Sequence, residues 1–202
     1  MTGEGSAVRV AVLASGGGTN LQALLDALRD SNLARVTLVV SNRTGAGALA
    51  RARRSGIPTA LLADPTDAAA LTSLLTDHRV DLVVLAGYLK LVPPAVVARF
   101  RWRMVNIHPA LLPDFGGPGM YGHRVHEAVL ASGARESGAT VHYVDEQFDR
   151  GPIIAQARVP VSPEDSAEAL AARVLEAEHR LLPAVVLELA RRGLPNKPVR
   201  MG

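Results

Sequence analysis

Short apolar runs alternate along the chain with longer stretches in which apolar residues recur every three or four positions. Val8 to Leu13 (VRVAVL) is the first run, and it stops abruptly at Ser15-Gly-Gly-Gly18. Leu21, Leu24, Leu25 and Leu28 then share one helical face. Strand, glycine turn and helix in that order open a nucleotide-binding type of α/β fold. Val36 to Val40 predicts a second buried strand, Ala46 to Arg54 a short helix stopped near Gly56, and Thr59 to Leu62 a brief third strand. A helix over Ala68 to His78 precedes Asp81 to Ala86 (DLVVLA), the clearest buried strand. After Pro93-Pro94 a short helix runs to about Phe100, and Met104 to His108 (MVNIH) is the next strand.

The texture changes at Pro109. Pro109 to Gly122 contains three Pro and four Gly, a long loop next to a strand end. A helix from about His123 to Ala131 leads into two further strands, Gly138 to Asp145 and Pro152 to Pro160. The last helix starts around Asp165, expected as its cap, with Glu168 completing a capping box. Pro183 inside it is expected to kink or break the helix. The alternation implies a doubly wound, mostly parallel sheet with helices on both faces, a Rossmann-type α/β fold, with the last two strands extending it. The 202 residues suit a single domain spanning 1–202, with residues 1–7 a loose terminus and 195–202 a short tail.

Composition sharpens this picture in three ways. With 48% hydrophobic but only 3% aromatic residues, the core must be built from Val, Leu and Ala, as buried parallel strands are. The formal charge is +3. The clusters Arg51-Ala-Arg53-Arg54 and Arg99-Phe-Arg101-Trp-Arg103 read as solvated surface or as faces toward an anion. Neither has the aromatic spacing of a single-strand platform, so no nucleic-acid partner is expected. Cysteine is absent, which excludes disulfides and thiolate metal sites. Met1 to Ser6 lacks the pattern of a signal peptide, and no apolar stretch approaches the roughly 18 residues of a membrane span. A cytoplasmic protein is expected.

Four places carry candidate chemistry. In Ser15-Gly-Gly-Gly-Thr-Asn20, glycines let backbone approach an anion and the helix start points free N–H groups at it. The spacing is neither GxGxxG nor a Walker loop, so a lone phosphate monoester fits, the alternative being a tight turn without a ligand. Asn106 and His108 project to one face of their strand, about 7 Å apart, at the carboxyl end where open α/β sheets bind ligands. They read either as oxyanion and proton-handling groups or as a surface His beside a loop-capping Asn. Asp149 is a turn former unless it meets His108, which would make a proton-transfer pair. Glu178 lies within about 60° of Val174, Leu181, Leu182 and Val185 on the last helix, an apolar face that a carboxylate occupies only when paired or exposed. His123 and His126 share a helix face, but no third ligand completes a metal set. His142 reads as a core histidine.

Together the stretches ALASGGGTNLQAL, DLVVLAGYLKLVPPAVV, MVNIHPALLP, GMYGHRVHEAVL, GATVHYVDEQFDRGPIIAQARVPV and EAEHRLLP resemble the folate-dependent phosphoribosylglycinamide formyltransferase family over most of Val8 to Pro183. The Asn-x-His-Pro segment followed by Asp-x-Gly-Pro-Ile resembles formyltransferases more widely, whereas Ser-Gly-x-Gly-Ser/Thr-Asn-Leu-Gln is particular to this branch. The resemblance implies that Asn106, His108 and Asp149 are catalytic. It also implies that Gly18, Thr19 and Asn20 hold the substrate phosphate and that Glu178 contacts the amine substrate. Leu89, Lys90, Leu91 and Val92 would border the folate pteridine, and His142 would support the catalytic Asp. Lys90 stands where an Arg is common, the Pro65-Thr-Asp67 region lacks an Arg found in some members, and Gly116 to Tyr121 follows a Gly-rich variant of the loop.

The implied activity is transfer of the formyl group of 10-formyltetrahydrofolate to the amine of glycinamide ribonucleotide in purine biosynthesis. It would pass through a tetrahedral intermediate and use no metal. In that expectation Asp149 keeps His108 charged and relays a proton. The partners implied are small molecules alone, acting on a monomer or homodimer. A formyltetrahydrofolate hydrolase or a methionyl-tRNA formyltransferase is expected to need a further domain for which this length leaves no room. A non-catalytic phosphosugar-binding module is expected to have lost one of Asn106, His108 and Asp149.

Overall fold

The structure, a computed structural model, describes residues 7–201, so the expected loose terminus lies outside the described residues except for Ala7. Among the described residues seven strands form one sheet. They are β1 (Val8–Leu13), β2 (Ala34–Ser41), β3 (Thr59–Leu61), β4 (Leu82–Leu85), β5 (Met104–His108), β6 (Glu136–Tyr143) and β7 (Ile153–Pro160). Their order is β3-β2-β1-β4-β5-β6-β7. β1 to β5 pair in parallel, and β6 and β7 add an antiparallel extension. The doubly wound, mostly parallel sheet expected from the alternation is the fold observed.

Strand alternation divides the core in two. Val10, Val12, Leu82, Val84, Val105 and Ile107 pack on one face beneath α1 (Thr19–Leu28), α2 (Gly47–Arg54), α5 (His123–Ala131) and α6 (Ala167–Arg192). Ala11, Leu13, Val83, Leu85 and Met104 pack on the other beneath α3 (Ala68–Asp77) and α4 (Pro94–Arg99). The period of two puts Asn106 and His108 on that second face with Met104. The chain leaves β1 toward β2 and β3 on one side, and β4 toward β5 on the other. The crevice at the carboxyl ends of β1 and β4 is therefore the switch point where such sheets bind ligands.

Three expectations at the carboxyl-terminal part are corrected. β6 starts at Glu136, two residues earlier than expected, because Glu136 and Ser137 pair with Pro160 and Val159. Ser166, not Asp165, caps α6, its hydroxyl accepting from the Ala169 N–H at 3.2 Å. Asp165 instead takes a two-pronged ion pair from Arg173 at 2.6 and 2.9 Å, which draws its carboxyl down to about 2. Pro183 does not break α6, which runs to Arg192. The proline is buried, and packing against α1, α5, β6 and β7 outweighs the helical hydrogen bond it removes. Beyond the helix, the Met201 N–H donates to the Ile154 carbonyl at 2.7 Å, so the tail lies along the edge of β7. Among the described residues no helix is long and apolar enough to cross a membrane.

Candidate active site

The carboxyl ends of β1, β4 and β5 open on a cavity of about 440 Å³ whose walls include Asn106, His108, His142, Asp149, Asn20 and Glu178. Leu89, Lys90, Leu91 and Val92 line the same cavity, whereas Gly18 and Thr19 do not. The candidates separated by more than a hundred positions in the chain thus converge in one crevice.

At one end, β5 and β6 set the chemistry. Asn106 pairs in register with His142 across the two strands. His142 Nδ1 meets the Tyr143 carbonyl at 2.7 Å, leaving Nε2 to face the Asn106 Nδ2 at 3.0 Å and Asp149 Oδ1 at 3.5 Å. Asn106 Nδ2 also donates to Asp149 Oδ1 at 3.3 Å. His108 presents Nδ1 to the same Asp149 oxygen at 3.5 Å and Nε2 to the Phe115 carbonyl at 2.8 Å. Asp149, with a left-handed φ of 56°, sits in the connection between β6 and β7 and takes the Gly117 N–H on its other oxygen at 2.9 Å. His142 is thus a direct partner of both Asn106 and Asp149, the supporting position the resemblance implied.

Burial works differently on the two titrating groups. It holds His108 below the ordinary histidine range, more strongly than Asp149 and the Phe115 carbonyl raise it. Asp149 pulls His108 toward the charged form, as expected, but burial outweighs that pull in this structure. Burial also pushes Asp149 up, but the His142 hydrogen bond, the adjacent His108 ring and the Gly117 N–H together bring its carboxyl below the usual range. The resulting site is an ionised carboxylate held by the Asn106 amide and the Gly117 N–H, with the His108 and His142 rings beside it. Its long contacts, at 3.3 and 3.5 Å, are weak and open to competition from an incoming oxygen.

The Pro109–Gly122 loop is tied down through its first half. Thr140 Oγ1 donates to the Ala110 carbonyl and accepts from the Leu112 N–H, and Gln156 Nε2 reaches the Leu112 carbonyl. Gly116 packs so close that a Cβ there would lie 2.5 Å from Leu112 Cδ2 and 3.1 Å from Asp149 Cβ. The loop delivers a carbonyl to His108 and an N–H to Asp149. Sequence reasoning missed both, because backbone groups carry no residue signature.

At the other end, Gly18 is the left-handed residue before α1, and no side chain caps that helix. A Cβ on Gly18 would lie 2.6 Å from Ala48 Cα. The N–H groups of Gly17, Gly18, Thr19 and Asn20 have no protein acceptor among the described residues, which leaves them for an anion. The Asn20 side chain points elsewhere: its Nδ2 donates to Glu178 Oε2 at 3.4 Å, and its buried Oδ1 has no partner. Burial pushes the Glu178 carboxyl up to about 7, against the Asn20 hydrogen bond. Glu178 is therefore not exposed and has no cationic partner among the described residues; it is a buried acid with one long bond, which leaves the contact with an amine that the sequence also offered.

The mouth of the cavity is apolar. Leu89, Leu91 and Tyr121 are each at least 40% exposed there, an apolar patch at the rim of a cavity of the kind that marks a ligand-binding groove. Leu89 N–H donates to Ser15 Oγ at 3.0 Å, tying this segment to the glycine turn. His126 also lines the cavity, buried, with Nδ1 unpartnered. Sequence reasoning weighed it only as a metal ligand. Among the described residues no three His, Asp or Glu are grouped to hold a metal ion.

The formyl transferase family model matches residues 8–186. A chloroplastic phosphoribosylglycinamide formyltransferase from Vigna unguiculata is 46% identical over 185 residues, 88% of this chain and 59% of that protein. The chain thus spans about three-fifths of that relative's length. The phosphoribosylglycinamide formyltransferase of Haemophilus influenzae is 39% identical, covering 88% of this chain and 85% of that one. The crystal structure of glycinamide ribonucleotide transformylase 1 from Symbiobacterium toebii superposes with a TM-score of 0.88 at 40% identity, over 99% of this chain and 95% of the other. The chain belongs to the formyl transferase family, in the branch whose members are named phosphoribosylglycinamide formyltransferases.

Proposed function

We propose that this chain transfers the formyl group of 10-formyltetrahydrofolate to the amine of glycinamide ribonucleotide, as a step of purine biosynthesis. The observation that carries the reading is one cavity with an acid–amide–imidazole cluster at one end and the buried Glu178 beside Asn20 at the other, Asn20 belonging to the helix start whose N–H groups are free among the described residues. The phosphate of the ribonucleotide would sit against the N–H groups of Gly18, Thr19 and Asn20. Glu178, held near neutrality, would accept a hydrogen bond from the glycinamide portion. Leu89, Leu91 and Val92 would cover the flat pteridine, with Lys90 at the rim.

In this reading the substrate amine attacks the formyl carbon, and negative charge grows on the formyl oxygen. Asn106 would turn its long-bonded N–H to that oxygen, and His108 would add a second donor once Nδ1 is protonated, roughly 3 kcal/mol per donor. An oxyanion beside His108 opposes the desolvation that keeps the ring neutral, so Nδ1 would take a proton from solvent as charge develops and give it back as the oxyanion collapses. Asp149 would take the proton released by the attacking nitrogen and return it to the folate nitrogen as the old carbon–nitrogen bond breaks. Binding through the phosphate orients the amine for attack. The enzyme would act in the cytoplasm on small molecules alone, as a monomer or homodimer.

The direct test is a spectrophotometric assay with a 10-formyl folate donor, with and without glycinamide ribonucleotide. Donor consumption that requires the ribonucleotide is the expected result. Consumption without it would make the protein a hydrolase, and none in either case would sink the reading.

A further inference from the structure

We infer that Arg51 is a positioning residue that aims the anion-binding N–H groups at the end of β1; the inference rests on the ribonucleotide reading above. The turn from Ser15 to Asn20 contains three successive glycines, whose peptide planes have little intrinsic orientation. Two contacts from α2 remove that freedom. The Ala48 N–H donates to the Gly16 carbonyl at 3.1 Å, and the Arg51 Nε–H donates to the Gly17 carbonyl at 2.9 Å.

A trans peptide is planar, with its C=O and N–H pointing in opposite directions. Both peptides concerned are trans. Holding the Gly16 and Gly17 carbonyls toward α2 therefore turns the N–H groups of Gly17 and Gly18 away from it. Gly18 is left-handed at φ 76° and ψ 33°, directly before the first turn of α1. Successive N–H groups in such a pair of conformations converge on one concave side, which is an anion cradle. Without the Arg51 bond, the Gly17–Gly18 peptide is free to rotate and point its carbonyl at the anion instead.

Arg51 is suited to the task because it is itself held. Its Nη1 donates to Gln22 Oε1 of α1 at 3.3 Å, so the guanidinium spans the two helices that flank the turn. The packing is tight: a Cβ on Gly47 would lie 3.0 Å from the Gly17 carbonyl oxygen. Arg53 and Arg54, its neighbours in the basic cluster, are exposed and make no comparable contact among the described residues. One arginine of that cluster therefore differs in kind from the others, which sequence alone treated alike. Lysine is a poor substitute, since a single ammonium does not fork between the Gly17 carbonyl and Gln22.

The experiment compares Arg51→Ala and Arg51→Lys with Arg54→Ala, which removes the same charge from the same helix. Arg51→Ala is expected to raise the KM for glycinamide ribonucleotide about tenfold or more, the scale of one lost charge-assisted hydrogen bond. The KM for the folate donor is expected to stay put, and the preference for the ribonucleotide over its dephosphorylated nucleoside to fall by the same factor. Arg51→Lys recovers part of the loss, and Arg54→Ala shows little of it. Calorimetric titration with ribose 5-phosphate gives a readout independent of formyl transfer, and the same weakening is expected there. Should the wild-type protein bind ribose 5-phosphate without transferring formyl groups, the functional reading fails while this test still decides the role of Arg51. Equal losses in Arg51→Ala and Arg54→Ala would overturn the inference in favour of general electrostatics. Unchanged binding in Arg51→Ala, or a wild-type protein that does not bind the sugar phosphate, would overturn it as well.

Discussion

At the end of β1 the free polar groups are backbone N–H donors, whereas at the ends of β5 and β6 they are side chains. The first region belongs to the parallel part of the sheet, where a strand, a glycine turn and a helix start leave N–H groups without a protein acceptor among the described residues. The second belongs to the antiparallel extension, where register brings Asn106 opposite His142 and a turn carries Asp149 back to both. The two kinds of site fail in different ways. A backbone site tolerates changes of chemistry but not an added Cβ or a released carbonyl. A side-chain site stands on stiff strands and tolerates small shifts, but not a change of functional group.

The sharpest break of that comparison lies at the side-chain end. Asp149→Asn or Asn106→Ala is expected to lower kcat at least about 100-fold, the scale of one lost proton-transfer or oxyanion group. Circular dichroism should show the fold retained. Near-normal turnover in either variant would remove that residue from the catalytic list.

Glu178 offers the next largest effect, through pH. Its carboxyl titrates near 7 in the fold against an ordinary 4.5. Between those values the folded chain keeps a proton that the unfolded chain has lost, so stability falls as pH rises through that window. The effect is bounded at about 3 kcal/mol. Glu178→Gln, neutral throughout, should flatten the decline, read as urea midpoints at pH 5 and pH 8. It should also impair use of the amine substrate more than folate binding in separate titrations. Equal changes in midpoint from pH 5 to pH 8 for the wild type and Glu178→Gln would refute the buried-acid account; the opposite trend from the buried His108, His126 and His179 is common to both proteins and cancels in that comparison.

At the backbone end, Gly18→Ala puts a Cβ against Ala48 on a left-handed residue. A cost of roughly 1–3 kcal/mol in stability is expected, with a raised KM for the ribonucleotide. Unfolding by urea measures the first and steady-state kinetics the second. The smallest effect is expected from Thr140→Val, which deprives the Leu112 N–H and the Ala110 carbonyl of their buried partner. Roughly 1 kcal/mol of stability should be lost, with a modest fall in kcat as the loop loosens its hold on His108 and Asp149. A stability loss with kcat untouched would show that the loop does not need this anchor.

Much of this architecture was legible before any coordinates. Buried parallel strands announce themselves as apolar runs, and every expected strand is present. The two-residue period also put Asn106 and His108 on one face. Legibility failed where neighbours decide. Asp165 and Ser166 are both good caps, and only the bidentate hold of Arg173 on Asp165 shows why Ser166 takes the role. Pro183 reads as a breaker in isolation, yet the packed face of α6 carries the helix through it. The burial of His108, which outweighs the carboxylate beside it in this structure, has no sequence signature.

The sequence by itself determined the order of strands and helices, the glycine turn with its free helix start, and the polar pair at the end of β5. These follow from local periodicity and backbone preference, which act over a few residues. Only the tertiary structure decided that His142 meets Asn106, that Asp149 takes donors from three separate segments, and that Phe115 and Gly117 serve through their backbone. It alone turned Arg51 toward the Gly17 carbonyl and left Glu178 as a buried acid. Such contacts depend on register, burial and the direction of individual peptide bonds, which residues distant in the chain impose on one another and no local pattern records.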